Sequence, residues 1–465
     1  MYSIMLSRTV EKYIETYIEG GDYKIFFIWG PRRSGKSTIL KNISVKLKVP
    51  IFNFDFQSDK KLFVPTRDSL EKIVSKNKFI LIDEVQNFPE STVSLKILHD
   101  EFKVKIIATG SSELRQKSKD FDSLAGRFKE YYCLPLSIYE ISDNTSIPSY
   151  NIEAFENTMQ NELQIFGSYP EVYTAKSEEE RIDLLQEILD TYILKDIIDI
   201  YELKNKKLAE DILLKIALQL GSEVSIREIA GSLGANVTTV SNYIEIFIKN
   251  YILIPLPSFK TNARRAVSEN RKLYFYDLGI RNILVKDFRE LVLRPDREDI
   301  FENFVISEIE KRRKNMGIQQ SMYFYREYGG KEVDLVLESY KKLYQVLEIE
   351  VNKESKNKYI FPYKHSFATV NTKNYFEIIN SFEILYKLIE LNLQNIPNGI
   401  HLMNIVNKIP YIREDVNKIV SNIIDNSSSE WKIAKESLDR LDNKVLPKDK
   451  NLYQKLKEEI TISIN

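Results

Sequence analysis

Two short segments carry residue types that could act on a phosphate. Gly30-Pro31-Arg32-Arg33-Ser34-Gly35-Lys36-Ser37 fits the spacing G-x-x-x-x-G-K-[ST] without departure. It lies between an apolar run, KIFFIW at 24–29, and a helical pattern, TILKNISVKL at 38–47. Glycines in such a loop let the backbone turn so that successive N–H groups face an anion, while the helix N-terminus adds positive potential. In that chemistry Lys36 neutralises β- and γ-phosphate charge and the Ser37 hydroxyl holds Mg²⁺. The expected cradle for ATP is Gly30, Pro31, Arg32, Arg33, Ser34, Gly35, Lys36, Ser37 and Thr38. A glycine-containing turn that merely joins a strand to a helix would share some of these letters, but the flanks on both sides favour the phosphate loop.

A second segment, Phe79-Ile80-Leu81-Ile82-Asp83-Glu84, is a four-residue apolar strand ending in two carboxylates. There Asp83 can hold Mg²⁺ and Glu84 can polarise an attacking water. An N-cap Asp before a helix would give the same letters, and it is the neighbouring phosphate loop that favours the metal-and-base reading. The strand VKIIA at 104–108 runs into Thr109, Ser111 and Ser112, small hydroxyls placed to sense a γ-phosphate or to form a turn and cap. Arg127, beside Gly126 in LAGRF, could reach a γ-phosphate of its own or a neighbouring subunit, or simply form a surface ion pair.

These residues need a scaffold of buried parallel strands. The runs 24–29, 51–54, 79–82 and 104–108 are short, predominantly apolar and separated by helical patterns, as strands covered on both faces are. An α/β class follows, with a doubly wound parallel sheet at 1–145. The strands then give way to helical spacing, predicting a helical lid or connector at 146–205 with a turn at FGSYPEV, 166–172. Helices at 206–256 followed by a basic hairpin, SFKTNARRAVSENRK, predict a winged helix-turn-helix at 206–285. A helix at FENFVISEIEKRRK and the strands YFYRE, EVDLVLE and YQVLEIEV make a small α/β domain at 286–395, and a charged helical tail fills 396–465.

Composition narrows the setting. The 465 residues include 43% hydrophobic and 29% charged residues, with 27 Tyr and 24 Phe, enough apolar surface for several cores. Lys and Arg number 67 against 67 Asp and Glu, so no global field pulls the chain onto nucleic acid or an anionic membrane. One cysteine, Cys133, excludes an intramolecular disulfide, and three scattered histidines are too few for a structural zinc site. No apolar run approaches the roughly 18–20 residues that span a bilayer, and the first residues do not read as a signal peptide. The expected setting is cytoplasmic, without a membrane.

The order GPRRSGKST, FILIDEVQN, IIATGSSEL, AGRF and CLPLSIYE resembles a group of prokaryotic AAA+ P-loop ATPases whose core is followed by a C-terminal domain of unknown function. FGSYPEV, YILKDI, YFYDLGIRN, FENFVISEI and GGKEVDLVL followed by LEIEV extend the likeness over about residues 20–355. The resemblance implies an AAA+ core, a winged helix and a C-terminal fold similar to PD-(D/E)xK nucleases.

In the winged helix, Ser225 and Glu228 suit a capping box, Gly234 a turn, and the helix from Val237 would present Thr238, Thr239, Ser241 and Asn242. Lys260, Arg264, Arg265, Arg271 and Lys272 against Glu269 give the hairpin a basic surplus that could grip double-stranded DNA, although such modules also serve as packing joints. In the nuclease-like part, Asp334 and Glu350 match the two metal-holding carboxylates, and Glu302 or Glu308 could add a third. The lysine expected two residues after Glu350 is replaced by Asn352. Lys353, one place later, would point to the opposite face, so strand cleavage is not expected. The functional expectation is Mg²⁺-dependent ATP hydrolysis by Lys36, Glu84 and Arg127, with Ser37 and Asp83 at the metal, coupled to a partner, most plausibly DNA. An ATP-dependent conformational switch or assembly module without DNA, and an ATP-gated nuclease, are the alternatives. A homo-oligomer would be needed if Arg127 acts on a neighbouring subunit.

Overall fold

The computed structural model describes residues 6–111, 121–145, 152–196, 205–259, 271–326, 332–339, 344–351 and 365–370, with 450, 453 and 454. The chain divides into two units, Met1–Pro255 with Glu269–Gly317, and Leu256–Ser268 with Ile318–Asn465.

The first unit is built on a parallel sheet of β1 (Ile25–Trp29), β2 (Ile51–Asn53), β3 (Phe79–Asp83), β4 (Lys105–Gly110) and β5 (Phe128–Tyr132), in the order β2-β3-β4-β1-β5. Alternate residues of each strand point to opposite faces, and the core divides accordingly. Phe26, Ile28, Leu81 and Ile107 pack under Val10, Ile14 and Tyr17 of α1 (Thr9–Glu19) and Ile39, Leu40 and Ile43 of α2 (Lys36–Leu47). Ile25, Phe27, Trp29, Ile80, Ile82, Ile106 and Ala108 pack on the other side under Leu70 and Ile73 of α3 (Arg67–Val74) and Leu95 of α4 (Ser91–Ile97). This is the α/β, P-loop sheet that the sequence predicts. Its fifth strand was not foreseen, because Phe128-Lys129-Glu130-Tyr131-Tyr132 is half-exposed and lacks the continuous apolar run of the inner strands.

After α5 (Ile138–Asp143) come α6 (Ile152–Phe166), α7 (Pro170–Thr174) and α8 (Glu178–Glu187), the last continuing in wider turns to Asp196. Next are α9 (Lys206–Leu218), α10 (Ile226–Leu233) and α11 (Val237–Lys249). Ser225 caps α10 by accepting from the Glu228 N–H, Gly234 ends it in a left-handed conformation (φ +61°), and Asn236 caps α11. A three-stranded sheet follows, ordered β6 (Glu223–Val224), β8 (Arg271–Phe275), β7 (Leu253–Pro257). Helix α12 (Leu278–Val285) ties this half together. Asn282 donates to the Gln164 and Ile165 carbonyls at the end of α6, and Arg281 to the Ala217 carbonyl at the end of α9, filling acceptors that a helix C-terminus leaves open. Helix α13 (Arg297–Asn315), expected from the sequence in the nuclease-like part, falls in the first unit, where the Asn303 amide pairs with both backbone groups of Phe275.

The second unit holds a sheet ordered β12 (His365–Val370), β11 (Tyr344–Ile349), β10 (Glu332–Ser339), β9 (Gln320–Arg326), antiparallel except for the β11–β12 pair. Phe259, from the hairpin segment 256–268, is buried there against Val333, Val336, Tyr344 and Val346, and its N–H donates to the Phe324 carbonyl at 2.6 Å. Among the described residues no helix is long and apolar enough to cross a membrane. The tail from 396 lies outside the described residues apart from 450, 453 and 454.

Gly279 in α12 has no room for a methyl group: a Cβ there would lie 2.2 Å from the Phe166 carbonyl oxygen and 2.7 Å from Leu185. Gly279→Ala is therefore expected to destabilise the first unit by about 1–3 kcal/mol, the usual range for forced overpacking. Unfolding of the variant at the wild-type urea concentration would show the packing to be loose.

Candidate functional site

The parallel sheet brings the ends of its strands to one edge, where β1, β3 and β4 each lead into a different polar group. β1 runs into Gly30, where a Cβ would stand 1.9 Å from the Cys133 carbonyl oxygen just past β5, so only glycine lets the loop cross there. Arg33 is left-handed at φ +62° and Gly35 at φ +100°, and the chain then enters α2 at Lys36. Lys36 is buried, and its Nζ donates to the carbonyls of Gly30 at 2.8 Å and Pro31 at 2.6 Å. Burial holds the ammonium below its usual pKa, and the nearby Glu84 and Asp83 only partly offset that.

β3 delivers the two carboxylates. Asp83 Oδ1 accepts from the Thr109 hydroxyl at the end of β4 and from the Glu84 N–H at 3.1 Å. Asp83 Oδ2 accepts no hydrogen bond among the described residues. Glu84 has a left-handed backbone (φ +54°), and its side chain takes a hydrogen bond from the Gln86 amide. Gln86 in turn accepts from the Ser111 N–H at 3.2 Å, linking Glu84 to β4. Gln86 was not singled out from sequence, where a glutamine two places after an acid carries no signal. Ser112 lies outside the described residues.

The base of the loop is held by a buried ion pair that the sequence reading also lacks. The Arg8 Nε lies 3.1 Å from Glu140 Oε1 and its Nη2 3.2 Å from Oε2, and both side chains are at most 5% exposed. The same guanidinium donates to the carbonyls of Ser34, inside the phosphate loop, and Leu134, beyond β5. Glu140 also accepts the N–H groups of Thr9 at 2.8 Å and Ser137 at 3.0 Å. Burial alone would raise the Glu140 carboxyl, but the Arg8 charge and these donors outweigh it and hold it below its usual pKa. Ser137 and Glu140 form a full capping box on α5, legible as S-x-x-E in SIYE, but nothing in the letters ties it to an arginine 132 residues away.

Arg127 is not brought to this edge in its own chain. Its carbonyl accepts the Ile25 N–H at the start of β1, the far end of a five-residue strand, so about 16 Å of strand separates it from Gly30. Its guanidinium is paired with Asp100 at 2.8 Å. Of the two readings that the sequence offers, the surface ion pair is the one present here, and Arg127 stands too far along the strand to reach the phosphate loop of its own chain.

The basic hairpin also changes. Arg271 is paired with Glu245 of α11 at 2.8 Å, and Lys272 is buried against Glu302 at 3.3 Å. Neither is presented to a phosphate backbone, while Thr238 and Asn242 are exposed on α11 as expected. Lys260, Arg264, Arg265 and Glu269 lie outside the described residues. Glu302 accepts from Tyr274 as well, and Glu308 is committed to Lys311 at 2.8 Å and the Ile138 N–H at 2.7 Å, so both acids have structural partners within the first unit.

In the second unit, the pairing of Leu335 with Leu347 sets Asp334 opposite Glu348, and Glu350 follows on the same face. Asp334 accepts the Ile349 N–H at 2.7 Å, and among the described residues the buried Glu350 Oε2 has no hydrogen-bond partner. Among the described residues no three His, Cys, Asp or Glu side chains converge to hold a metal ion. Asn352 and Lys353 lie outside them.

A cavity of about 220 Å³ opens beside the phosphate loop, with Leu6, Gly35, Thr38, Asn42, Leu136 and Pro170 in its wall.

Three family models match parts of the chain: the AAA domain over 22–142, a domain of unknown function (DUF8612) over 157–291, and another (DUF4143) over 297–383. An uncharacterized protein of Methanocaldococcus jannaschii is 27% identical over 372 residues, covering 76% of this chain and 80% of its own. An uncharacterized protein of Haemophilus influenzae is 23% identical over 300 residues, covering 60% and 74%. Among solved structures, the Thermotoga maritima RuvB Holliday junction branch migration motor is similar over 54% of this chain and 87% of its own, at 15% identity and a TM-score of 0.26. The Aeropyrum pernix ORC1 protein in complex with DNA is similar over 61% and 94%, at 14% identity and a TM-score of 0.27. At such scores nothing about mechanism passes from those two proteins to this chain.

Replacing Glu140 by Gln leaves Arg8 buried without its counter-charge, which costs about 3–5 kcal/mol. A carboxyl held below its unfolded pKa stabilises above that value, near 4.3, and the contribution fades as the pH falls through the folded one. Thermal melting of wild type should therefore drop on acidification below about pH 4.3, with a shallower drop in Glu140→Gln. Identical melting of the two proteins at pH 7 would remove the pair from its place.

Proposed function

We propose that this chain binds ATP with Mg²⁺ at Gly30 to Thr38 and hydrolyses it, and that the nucleotide cycle shifts the helices and three-stranded sheet downstream of the AAA domain. The observation that carries the reading is the meeting, at one sheet edge, of a buried Lys36 with the Asp83 and Glu84 carboxylates, inside a loop that only Gly30 lets pass under Cys133. The flanking match to the AAA domain supports it.

The residues divide the work in a way their surroundings explain. Loop N–H groups and Lys36 bind the phosphates, Lys36 exchanging the Gly30 and Pro31 carbonyls for phosphate oxygens. An anion beside it restores the charge that burial disfavours. The Ser37 hydroxyl and Asp83 Oδ2 are hard oxygen donors of the kind Mg²⁺ takes, and when bound the metal neutralises charge on the β- and γ-phosphates. Glu84, held by Gln86, orients a water and receives its proton. Thr109 fixes the Asp83 rotamer through its hydroxyl. The apolar side of the cavity, Leu6, Ile39, Leu136 and Pro170, suits the flat face of the base. Arg127 of one copy would serve a neighbouring copy in an oligomer.

Double-stranded DNA remains the proposed partner of α10, α11 and the hairpin, supported by the exposed Thr238 and Asn242 and by Lys260, Arg264 and Arg265 in the sequence. The pairing of Arg271 and Lys272 within the fold favours the second reading, a nucleotide-driven switch acting on a protein partner.

Lys36→Ala should lower kcat/KM for ATP by at least about 10²-fold, and Glu84→Gln should cut turnover by about 10²–10⁴-fold while ATP binding persists. Wild-type turnover in both variants would dispose of the assignment. With Arg271 and Lys272 already neutralised, duplex DNA binding should show a log–log salt slope no steeper than about −3, at roughly 0.9 per phosphate contact. No measurable binding at low salt, with or without a non-hydrolysable ATP analogue, would leave the protein-partner reading.

A further inference from the structure

The turn FGSYPEV contributes nothing to phosphate binding in the reading above, yet it is fixed at both ends to groups that matter. At its start, Gly167 is left-handed (φ +75°) and so close to Asp277 that a Cβ would lie 2.0 Å from Oδ1. The Ser168 N–H donates to Asp277 Oδ2 at 2.6 Å, and Lys311 Nζ reaches the Ser168 hydroxyl at 2.9 Å and the Leu136 carbonyl at 3.2 Å. Asp277 caps α12 just beyond β8. At its other end, Glu171 in α7 lies 3.2 Å from Arg33 Nη1, and Arg33 Nη2 is paired with Glu187 at the end of α8. Glu171 also lines the cavity beside Gly35 and Thr38.

Arg33 is thus the point where the phosphate loop holds the lid helices, and it does so from a backbone conformation that favours glycine. The two acids are 55% and 51% exposed, and pairs so exposed each hold within about a fivefold change in equilibrium. A triphosphate carries more negative charge than either carboxylate and would sit on the loop that bears Arg33.

We propose that Arg33, Glu171 and Glu187 form a nucleotide-sensitive latch, in which the phosphates of bound nucleotide compete with the two acids for the Arg33 guanidinium and so release the turn that leads, through Ser168 and Asp277, to β8. In this account Arg33 contacts the phosphates, and Glu171 and Glu187 are positioning residues that act through it. The inference rests on the ATP reading and says which of the chain's own contacts ATP must displace.

Equilibrium titration with ATP and ADP at low salt tests it in wild type, Glu171→Gln/Glu187→Gln, Arg33→Gly, and the triple variant. Arg33→Gly keeps the fold testable, since glycine is at ease at φ +62°. Neutralising both acids should tighten ATP about five- to tenfold and ADP by a smaller factor, because the guanidinium is freed for the phosphates. In the Arg33→Gly background the same two substitutions should change ATP affinity less than about twofold. A purely structural role for the acids would give the same change in both backgrounds, or none in either while wild type binds ATP, and either result overturns the latch. If wild type takes up no ATP at all, the nucleotide reading falls and the latch with it.

Discussion

The Arg8 guanidinium, buried and with its donors divided among Glu140, Ser34 and Leu134, is the contact on which the geometry of the site depends. A phosphate loop is a stretch of backbone that has given up its own regular hydrogen bonds so that its N–H groups can turn towards an anion, and something outside the loop must then fix it. Here one cation reaches a loop carbonyl, the chain leaving the last strand and the helix that follows. The start of α1, the base of the loop and the entry to α5 are therefore one rigid piece. The cost of burying both charges is offset by the two-pronged geometry and by the N–H groups of Thr9 and Ser137 on the same carboxylate.

A second buried node lies farther along the chain and uses the same chemistry. Lys311, Glu308, Ser168 and Asp277 link the segment after β5 to the turn before α7 and to the strand that opens α12. Asp277 is pushed up by burial, with Lys311 and the N–H donors restoring only part of its ionisation. The two nodes meet in residues 134–140, where Leu134 and Glu140 hold Arg8 while Leu136 and Ile138 hold Lys311 and Glu308; the pairs at Arg33, by contrast, are exposed.

How much of this could be read from the letters follows the range of the interactions. The phosphate loop, Asp83-Glu84 after a strand, the cap at Ser225 and the turn at Gly234 are local, and their residues specify them within a few positions. The inner strands β1, β3 and β4 are legible because burial on both faces favours predominantly apolar runs; the edge strand Phe128–Tyr132 is not, because Lys129 and Glu130 interrupt its apolar residues, whereas β2, at the other edge, keeps Ile51 and Phe52 together. Arg127 looked like a catalytic arginine because its neighbours suit one, and only the register of β5 on β1 shows that it stands at the wrong end of the sheet for its own loop. The charge at Arg271 and Lys272 was countable, whereas its neutralisation by Glu245 and Glu302, 26 and 30 residues away, was not. Long-range polar partners are set by tertiary packing, and a single sequence carries no local trace of them.

The chain leaves the first unit at Pro255, returns at Glu269 and departs again at Gly317. Phe259, carried out on that excursion, is the aromatic centre around which Tyr323, Tyr325 and Tyr344 gather. The two units are thus interlaced in covalent order: no single cut separates them, and a fragment ended at Gly317 would carry an orphaned phenylalanine into water.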